Sequence, residues 1–192
     1  MKYYAVRRGK TPGIYTTWSE CEANIKNFSK AEYKSFKNLA DAEAFMKDYN
    51  IQELNLPNTY AFVDGSFNAK TNTYGYGGFL IHNGEKHILQ GNGNDPELAS
   101  MRNVAGEIKG AIAAVTKAIE LGLDNLDIFY DYQGIESWAT GEWKCNKTAT
   151  TEYGQFMKTC GINITFHKVK GHSGIDGNEE ADRLAKKAVG II

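Results

Sequence analysis

The chain has 192 residues, of which 42% are hydrophobic and 23% charged, and its formal net charge is −1. This length fits one domain of ordinary size with a small additional module, and the apolar content is sufficient for a core. Because no stretch approaches the roughly 20 apolar residues of a membrane-spanning helix, the composition argues against a membrane protein.

The cysteines and the first residues indicate a compartment. Three cysteines without paired spacing argue against a disulfide framework or a structural zinc site. The basic segment 1–10 lacks the apolar core of a secretion signal. We therefore expect a cytoplasmic protein.

The charge is unevenly distributed. Residues 1–38 carry eight Lys and Arg against three Glu, a net charge of +5, so the remainder carries −6. A basic segment before an acidic one suggests a polyanion-binding module joined to a part that needs carboxylates, although an uneven solvated surface would give the same count.

The first 46 residues predict a small α+β module. Its strands are predicted at residues 2–8, 14–16 and 33–36, and its helices at residues 19–27 and 39–46. Ser19 and Glu22 have the spacing of a capping box at the start of the first helix. We place a linker at residues 47–58.

Residues 59–192 predict an α/β domain with the element order β-β-β-α-β-α-β-α, a mixed sheet flanked by helices. The strands are predicted at residues 60–64, 74–82, 86–91, 126–131 and 162–169. The helices are predicted at residues 97–121, around Trp138 and Trp143, and at residues 177–188. Asn83-Gly84 predicts a hairpin turn, and two apolar strands end in an acid, Asp64 and Asp131.

These acids suggest a metal site. Functional groups gather at the carboxyl ends of strands in α/β sheets, and a buried carboxylate is costly unless a cation or hydrogen bonds satisfy it. Burial would be equally costly for the Glu107 carboxylate if it faces the sheet. Taken singly, Asp131 could cap the following helix, and Glu107 could be solvated. Asp182 could be a residue of the first turn of the last helix, where the helix dipole favours an acid.

Taken together, four carboxylates without a Cys or His cluster favour Mg²⁺ or Mn²⁺ over zinc. Two such ions ~3.5–4 Å apart can clamp the attacking and leaving oxygens of a phosphoryl displacement.

Four segments then carry a family resemblance. FVDGS at 62–66, RNVAGE at 102–107, YDYQ at 130–133 and KGHSGIDGNEEAD at 170–182 resemble, in order and spacing, the signature blocks of type 1 ribonuclease H. The resemblance implies a ribonuclease H fold with a five-stranded mixed sheet. It implies an endonuclease that hydrolyses the RNA strand of RNA–DNA hybrids with two Mg²⁺ ions, for which Mn²⁺ can substitute. The implied metal ligands are Asp64, Glu107, Asp131 and Asp182.

The resemblance also implies roles for the neighbouring residues. Glu179 would lie near the second metal and the product phosphate, and His172, on a glycine-flanked loop, would assist proton transfer or product departure. Asn103 and Gln133 would contact the hybrid, where amides can read the 2′-hydroxyl that distinguishes RNA.

Small residues complete the implied site. Gly65 and Ser66 are further substrate-binding candidates. Gly65 and Gly106 are expected to permit close backbone approach, either to the substrate or to a neighbouring element. Glu180 is expected to be solvated.

The N-terminal module resembles the hybrid-binding module of many type 1 enzymes. Trp18 and Tyr33 would offer an aromatic platform to the DNA strand, and Lys34 a phosphate contact. The family often has a second basic residue where this chain has Ser35. Alternatively, both aromatic residues belong to the core of the module.

Some family members carry a basic protrusion between the fourth strand and the last strand, whereas here the segment from Gly134 to Gly161 is short and contains only three lysines. Trp143 and Lys144 are candidates for a DNA contact, whereas Trp138 is expected in the core. We expect a monomer whose partner is the hybrid duplex.

Two other hypotheses stay open at this stage. A non-catalytic hybrid-binding protein is disfavoured because every expected acid is present. Exonucleases, integrases and resolvases share the acidic sheet, but Asn103, Gln133 and His172 favour hybrid cleavage.

Overall fold

The computed structural model of the chain describes residues 2–28, 31–50, 56–169 and 176–192. The chain divides into two compact units, Met1–Asn55 and Leu56–Ile192, whose boundary lies inside the predicted linker. Across the described residues, no helix combines the length and apolarity needed to cross a membrane. The three cysteines are free thiols, as predicted.

The first unit is a three-stranded antiparallel sheet with two helices, as predicted. In chain order its elements are β1 (Tyr3–Arg8), β2 (Gly13–Tyr15), α1 (Trp18–Ile25), β3 (Glu32–Phe36) and α2 (Leu39–Asn50). The strand order is β2-β1-β3. Its small core includes Val6 and Cys21, both buried.

The capping box of α1 lies two residues before the predicted one. Thr17 has extended backbone angles, its Oγ1 accepts from the Glu20 amide, and its own amide donates to Glu20. The prediction from Ser19 and Glu22 was wrong because both residues are already inside the helix.

The second unit is a five-stranded mixed sheet with helices, as the resemblance implied. Its strands are β4 (Thr59–Asn68), β5 (Thr73–His82), β6 (Glu85–Gly93), β7 (Asn125–Tyr130) and β8 (Asn163–Lys168). Its helices are α3 (Pro96–Ala99), α4 (Asn103–Glu120), α5 (Gly134–Thr140), α6 (Thr148–Thr159) and α7 (Asp176–Ala188). The order is β6-β5-β4-β7-β8, antiparallel through β4 and parallel from β4 to β8. Positive φ angles at Asn83 and Gly84 confirm the predicted hairpin turn.

Two predicted helices differ from the structure. The helix predicted at 97–121 is divided into α3 and α4, and Arg102 at the junction has a φ of 57°. Trp138 lies in α5, but Trp143 follows it in a loop and is not helical. A φ in the left-handed region cannot continue a right-handed helix, which explains the division at Arg102.

The first strand of this unit does not end at Asp64. Its antiparallel pairing with β5 continues to Asn68 and Thr73, so β4 runs past the acid. The parallel pairing with β7, however, ends at Phe62 and Phe129. Because Asp64 and Asp131 each lie two residues beyond that last pair, both still sit where the parallel ladder ends.

Helices cover both faces of the sheet. A Cβ on Gly110 of α4 would contact Val63, whereas a Cβ on Gly177 of α7 would lie 2.6 Å from the Phe62 ring. Neighbouring residues of a strand point to opposite faces, so α4 and α7 lie on opposite faces. Asp64 pairs with Gly77, which faces α7, so Asp64 starts from the α7 face while Glu107 comes from α4.

Candidate active site

Three carboxylates meet at the end of the parallel ladder. Asp64 of β4, Glu107 of α4 and Asp131, directly after β7, offer ligand oxygens that all lie within 4.8 Å of one another. Asp64 and Glu107 are buried, and Asp131 is half-buried. Three elements from different parts of the chain therefore place negative charge at one point.

The burial of these groups changes their acidity. Burial, and next the charge of Asp131, raises the pKa of Asp64 to about 6, although the Gly65 amide donates to its Oδ1 at 2.7 Å. Burial, followed by the charges of Asp64 and Asp131, raises the pKa of Glu107 well above its usual range. The site disfavours its own negative charge, which a bound cation would offset.

Glu107 also has an unsatisfied atom. The residue is 2% exposed, and its Oε2 is buried without a hydrogen-bond partner. Such an atom costs free energy unless a ligand occupies its lone pairs. A divalent cation that prefers oxygen ligands would satisfy Oε2, so the residues present fit the predicted metal.

Two glycines bring Glu107 to Asp64. A side chain on Gly65 would overlap the Asn103 carbonyl oxygen and the Glu107 amide of α4, and one on Gly106 would overlap the carbonyl oxygen of Gly75 on β5. Helix and sheet backbones therefore approach more closely than a Cβ would permit. This confirms the predicted close approach to a neighbouring element.

The fourth predicted ligand is close to the group but separately paired. Asp182 of α7 is half-buried and accepts a hydrogen bond from Lys186 Nζ at 2.7 Å. Its charge contributes to the raised pKa of Asp64. The structure thus brings three of the four predicted ligands together, and the charge of the fourth, Asp182, is paired with that of Lys186.

The remaining acids of α7 differ from each other. Glu179 is half-buried and lies one turn before Asp182, on the same side of the helix, as expected from the spacing. Glu180 is not simply solvated as predicted, because it accepts from Lys86 Nζ at 2.5 Å. His172 lies outside the described residues, so its role stays a prediction.

The predicted substrate-binding residues flank the carboxylates. Asn103 is exposed at the start of α4, and Gln133 is half-buried at the start of α5, while Ser66 is buried within β4. Gly65 packs against α4, as described above. Their contacts with substrate stay predictions.

A groove of about 780 Å³ opens beside Tyr132, the residue between Asp131 and Gln133. Trp143, which is 41% exposed, and Lys144 line it, as do Trp138 and Lys147. Tyr132 was not among the residues selected from the sequence, although its position between Asp131 and Gln133 was an available signal. Trp138 is half-buried and packs against the core, as predicted.

Comparison with known proteins agrees with this geometry. The family model "RNase H" matches residues 57–190, which is more than half of the chain. The chain belongs to the ribonuclease H family. The sequence-based identification, the fold and the enzyme class are thereby confirmed.

Several ribonucleases H are similar over most of their length. The chain is 27% identical to rat "Ribonuclease H1", with 96% of this chain and 88% of the relative covered. It is 24% identical to "Ribonuclease H" of Schizosaccharomyces pombe, with 96% of each covered. It is 34% identical to "Ribonuclease H" of Bartonella tribocorum, with 67% of this chain and 86% of the relative covered.

Solved structures show the same fold. The RNase H1 of Halobacterium salinarum has a TM-score of 0.54 at 24% identity and covers 70% of this chain and 98% of its own. LC11-RNase H1, solved in complex with an RNA/DNA hybrid, has a TM-score of 0.53 at 15% identity and covers 68% and 98%.

The first unit of this ribonuclease H matches a second model, the "Ribonuclease H1 N-terminal domain", over residues 2–46. Trp18 and Tyr33 are 45% and 44% exposed, with ring centroids 5.9 Å apart. Tyr4 belongs to the same aromatic cluster, since its ring centroid lies 5.7 Å from that of Trp18. The alternative that they form the core of the module is therefore wrong. Lys34 follows Tyr33 on β3 and is exposed, with its Nζ 5.6 Å from the centre of the Phe36 ring.

Proposed function

We propose that this ribonuclease H hydrolyses the RNA strand of RNA–DNA hybrids by a two-metal mechanism with Mg²⁺, for which Mn²⁺ can substitute. Asp64, Glu107, Asp131 and Asp182 would hold the ions. The observation that carries the proposal is the unpartnered Oε2 of Glu107, buried inside a group of three carboxylates.

The donor set supports a hard cation. All members of the group are carboxylates, which suit Mg²⁺ and Mn²⁺ rather than zinc. When bound, such ions activate a water nucleophile and neutralise charge that develops on the phosphate. Asp64 on β4, Glu107 on α4 and Asp182 on α7 lie on regular elements, and Asp131 directly follows β7. Asp64 and Glu107 are buried.

Selection of the hybrid would come from the residues around the carboxylates. Asn103 and Gln133 present amides that can hydrogen-bond a 2′-hydroxyl, and His172 and Glu179 would assist proton transfer and product departure. The aromatic cluster and Lys34 would hold the duplex through the N-terminal unit. The structure with an RNA/DNA hybrid bound to LC11-RNase H1 supports the hybrid as partner.

Replacing Asp131 with asparagine tests the catalytic part. Loss even of a residue that only supports a metal ligand typically costs about 10–100-fold, so loss of a ligand should lower Mg²⁺-dependent cleavage of a labelled hybrid by at least about 100-fold. Asp127→Asn, on the strand that Asp131 directly follows and paired with His167 at 2.5 Å, is the matched control and should retain activity. Full cleavage by the Asp131→Asn protein would refute the assignment.

Matched duplexes test the substrate. The wild-type chain should cut a hybrid and leave double-stranded DNA and double-stranded RNA of the same sequence intact. Equal cutting of the DNA would show one of the other nuclease activities that share the acidic sheet. We also propose a cytoplasmic monomer, which size-exclusion chromatography with light scattering and imaging of the tagged full chain would test.

A further inference from the structure

A chain of hydrogen-bonded side chains lies at the start of α5, which begins three residues after Asp131. Gln133 Nε2 donates to Glu136 Oε2 at 3.3 Å and to Ser137 Oγ at 3.1 Å. The Tyr130 hydroxyl donates to the same Glu136 oxygen, and Ser137 Oγ donates to Glu142 Oε2 at 2.6 Å. Five side chains therefore form one continuous chain.

The directions of these bonds determine the orientation of the Gln133 amide. An ionised carboxylate can only accept, so Glu136 requires donors on both neighbours. The Ser137 hydrogen is used toward Glu142, which leaves a lone pair of its oxygen to accept from Gln133. A reversed amide would place its carbonyl oxygen against two acceptors, which is unfavourable.

The donor from Tyr130 is also fixed. A tyrosine hydroxyl has a single hydrogen, and Tyr130 uses it toward Glu136. The first turn of α5 has a further hydrogen bond, because the Tyr153 hydroxyl donates to the Ile135 carbonyl at 2.8 Å. Hydrogen bonds therefore fix both the side chains that accept from Gln133 and the backbone of the helix that follows it.

The remaining atom of the amide is available. Among the described residues, Gln133 Oε1 receives no hydrogen bond, and it is not among the buried unsatisfied atoms. Gln133 Oε1 is thus an acceptor that solvent can reach, while both hydrogens of the same amide point to Glu136 and Ser137. The Asn103 side chain makes no hydrogen bond within the described part of the chain and can turn to donate or to accept.

We propose that Glu136 is a positioning residue that fixes Gln133 as a pure acceptor for a ribose 2′-hydroxyl of the RNA strand. A DNA sugar has no donor at this position, so a fixed acceptor discriminates between the two, whereas a freely turning amide would do so less well. This inference rests on the proposed cleavage of hybrids and adds a specificity-determining residue to it.

Hybrids in which one 2′-hydroxyl at a time is replaced by hydrogen test the proposal. Loss of one neutral hydrogen bond should lower kcat/KM by about three- to tenfold at the ribose that Gln133 contacts, mainly through KM. The Gln133→Leu variant identifies that ribose, because its cleavage no longer depends on the hydroxyl there. Penalties at other riboses remain.

Glu136→Met keeps the side-chain length but removes the acceptor, and it should abolish the penalty at the same ribose only. Glu136→Gln keeps an acceptor oxygen and should restore most of that penalty. Glu120→Met, an exposed glutamate near the far end of α4, is the matched control and should keep the wild-type profile.

The outcomes separate the two proposals. A Glu136→Met protein that keeps the full penalty, or a wild type without any Gln133-dependent ribose, overturns the role of Glu136 while hybrid cleavage stands. A wild type that cuts no hybrid refutes the proposed function itself. Should Glu136→Met fail to fold, Glu136→Ala, which also removes the acceptor of Gln133 Nε2 at this position, decides by the same criterion.

Discussion

Replacing Asp64 with asparagine should stabilise the metal-free protein at pH 8 while it abolishes cleavage. The wild-type carboxylate is buried beside two other acids, and its pKa is raised from 3.8 to about 6. The asparagine oxygen can still accept from the Gly65 amide, and its Nδ2 can donate to Glu107, whose Oε2 has no partner. The substitution thus removes a charge and supplies a donor.

The size of this stabilisation, and the pH range in which it occurs, follow from the raised pKa of Asp64. At 1.36 kcal/mol per pKa unit, ionised Asp64 costs up to about 3 kcal/mol of folding free energy. Because the folded state holds its proton more tightly than the unfolded state, wild-type stability falls as the pH rises from about 4 to about 6, and stays lower above it. The Asp64→Asn protein should lack the part of this fall that Asp64 contributes.

Urea unfolding in EDTA at pH 5 and pH 8 measures the effect. A Trp18→Phe background leaves Trp138 and Trp143 as fluorescence probes of the second unit alone. Asp124→Asn, at an exposed aspartate, is the control and should show the wild-type pH dependence. An Asp64→Asn protein that gains nothing at pH 8, or gains equally at pH 5, would show that burial of this charge does not limit stability.

Three further predictions concern the metal, the aromatic cluster and a close packing point. Mg²⁺ affinity, measured by calorimetry, should fall by up to about tenfold per pH unit below pH 6, because protons compete with the ion for Asp64. An affinity that does not change with pH would exclude Asp64 as a ligand. Trp18→Ala should weaken hybrid binding by about 1–3 kcal/mol in a fluorescence titration with an unchanged unfolding midpoint, and unchanged affinity would remove it from the interface. Gly77→Ala should destabilise the second unit by more than about 2 kcal/mol in urea, since the new methyl overlaps the Ala185 amide; an unaltered midpoint would show that α7 can shift.

The order of the elements could be predicted because apolar periodicity and turn residues are local signals. The position where α4 begins could not. The apolar residues continue from Leu98 to Met101 in a helical pattern, and arginine carries no signal for the positive φ of Arg102. The residue after it, Asn103, approaches Gly65 with its carbonyl oxygen, which is a contact between distant parts of the chain.

The end of β4 was mispredicted for a related reason. An acid after an apolar run usually marks the end of a strand, yet β5 pairs with β4 beyond Asp64 as far as Asn68. Which residues of two distant segments pair is not encoded in either segment alone. The acids were found despite this error, because the spacing of Asp64, Glu107 and Asp131 in the family pattern does not depend on strand length.

Glu107 explains why the site needs both the glycines and a cation. A helix set at an ordinary distance from the sheet would leave the glutamate partly solvated, and its ionised form would then cost little. Because Gly65 and Gly106 have no side chains, α4 can pack close to the sheet, and the Glu107 carboxylate is buried. Its Oε2 then has no hydrogen-bond partner within the described residues. The close packing that makes the metal-free site unfavourable is therefore what would make it bind a divalent cation, and folding and metal binding should strengthen each other.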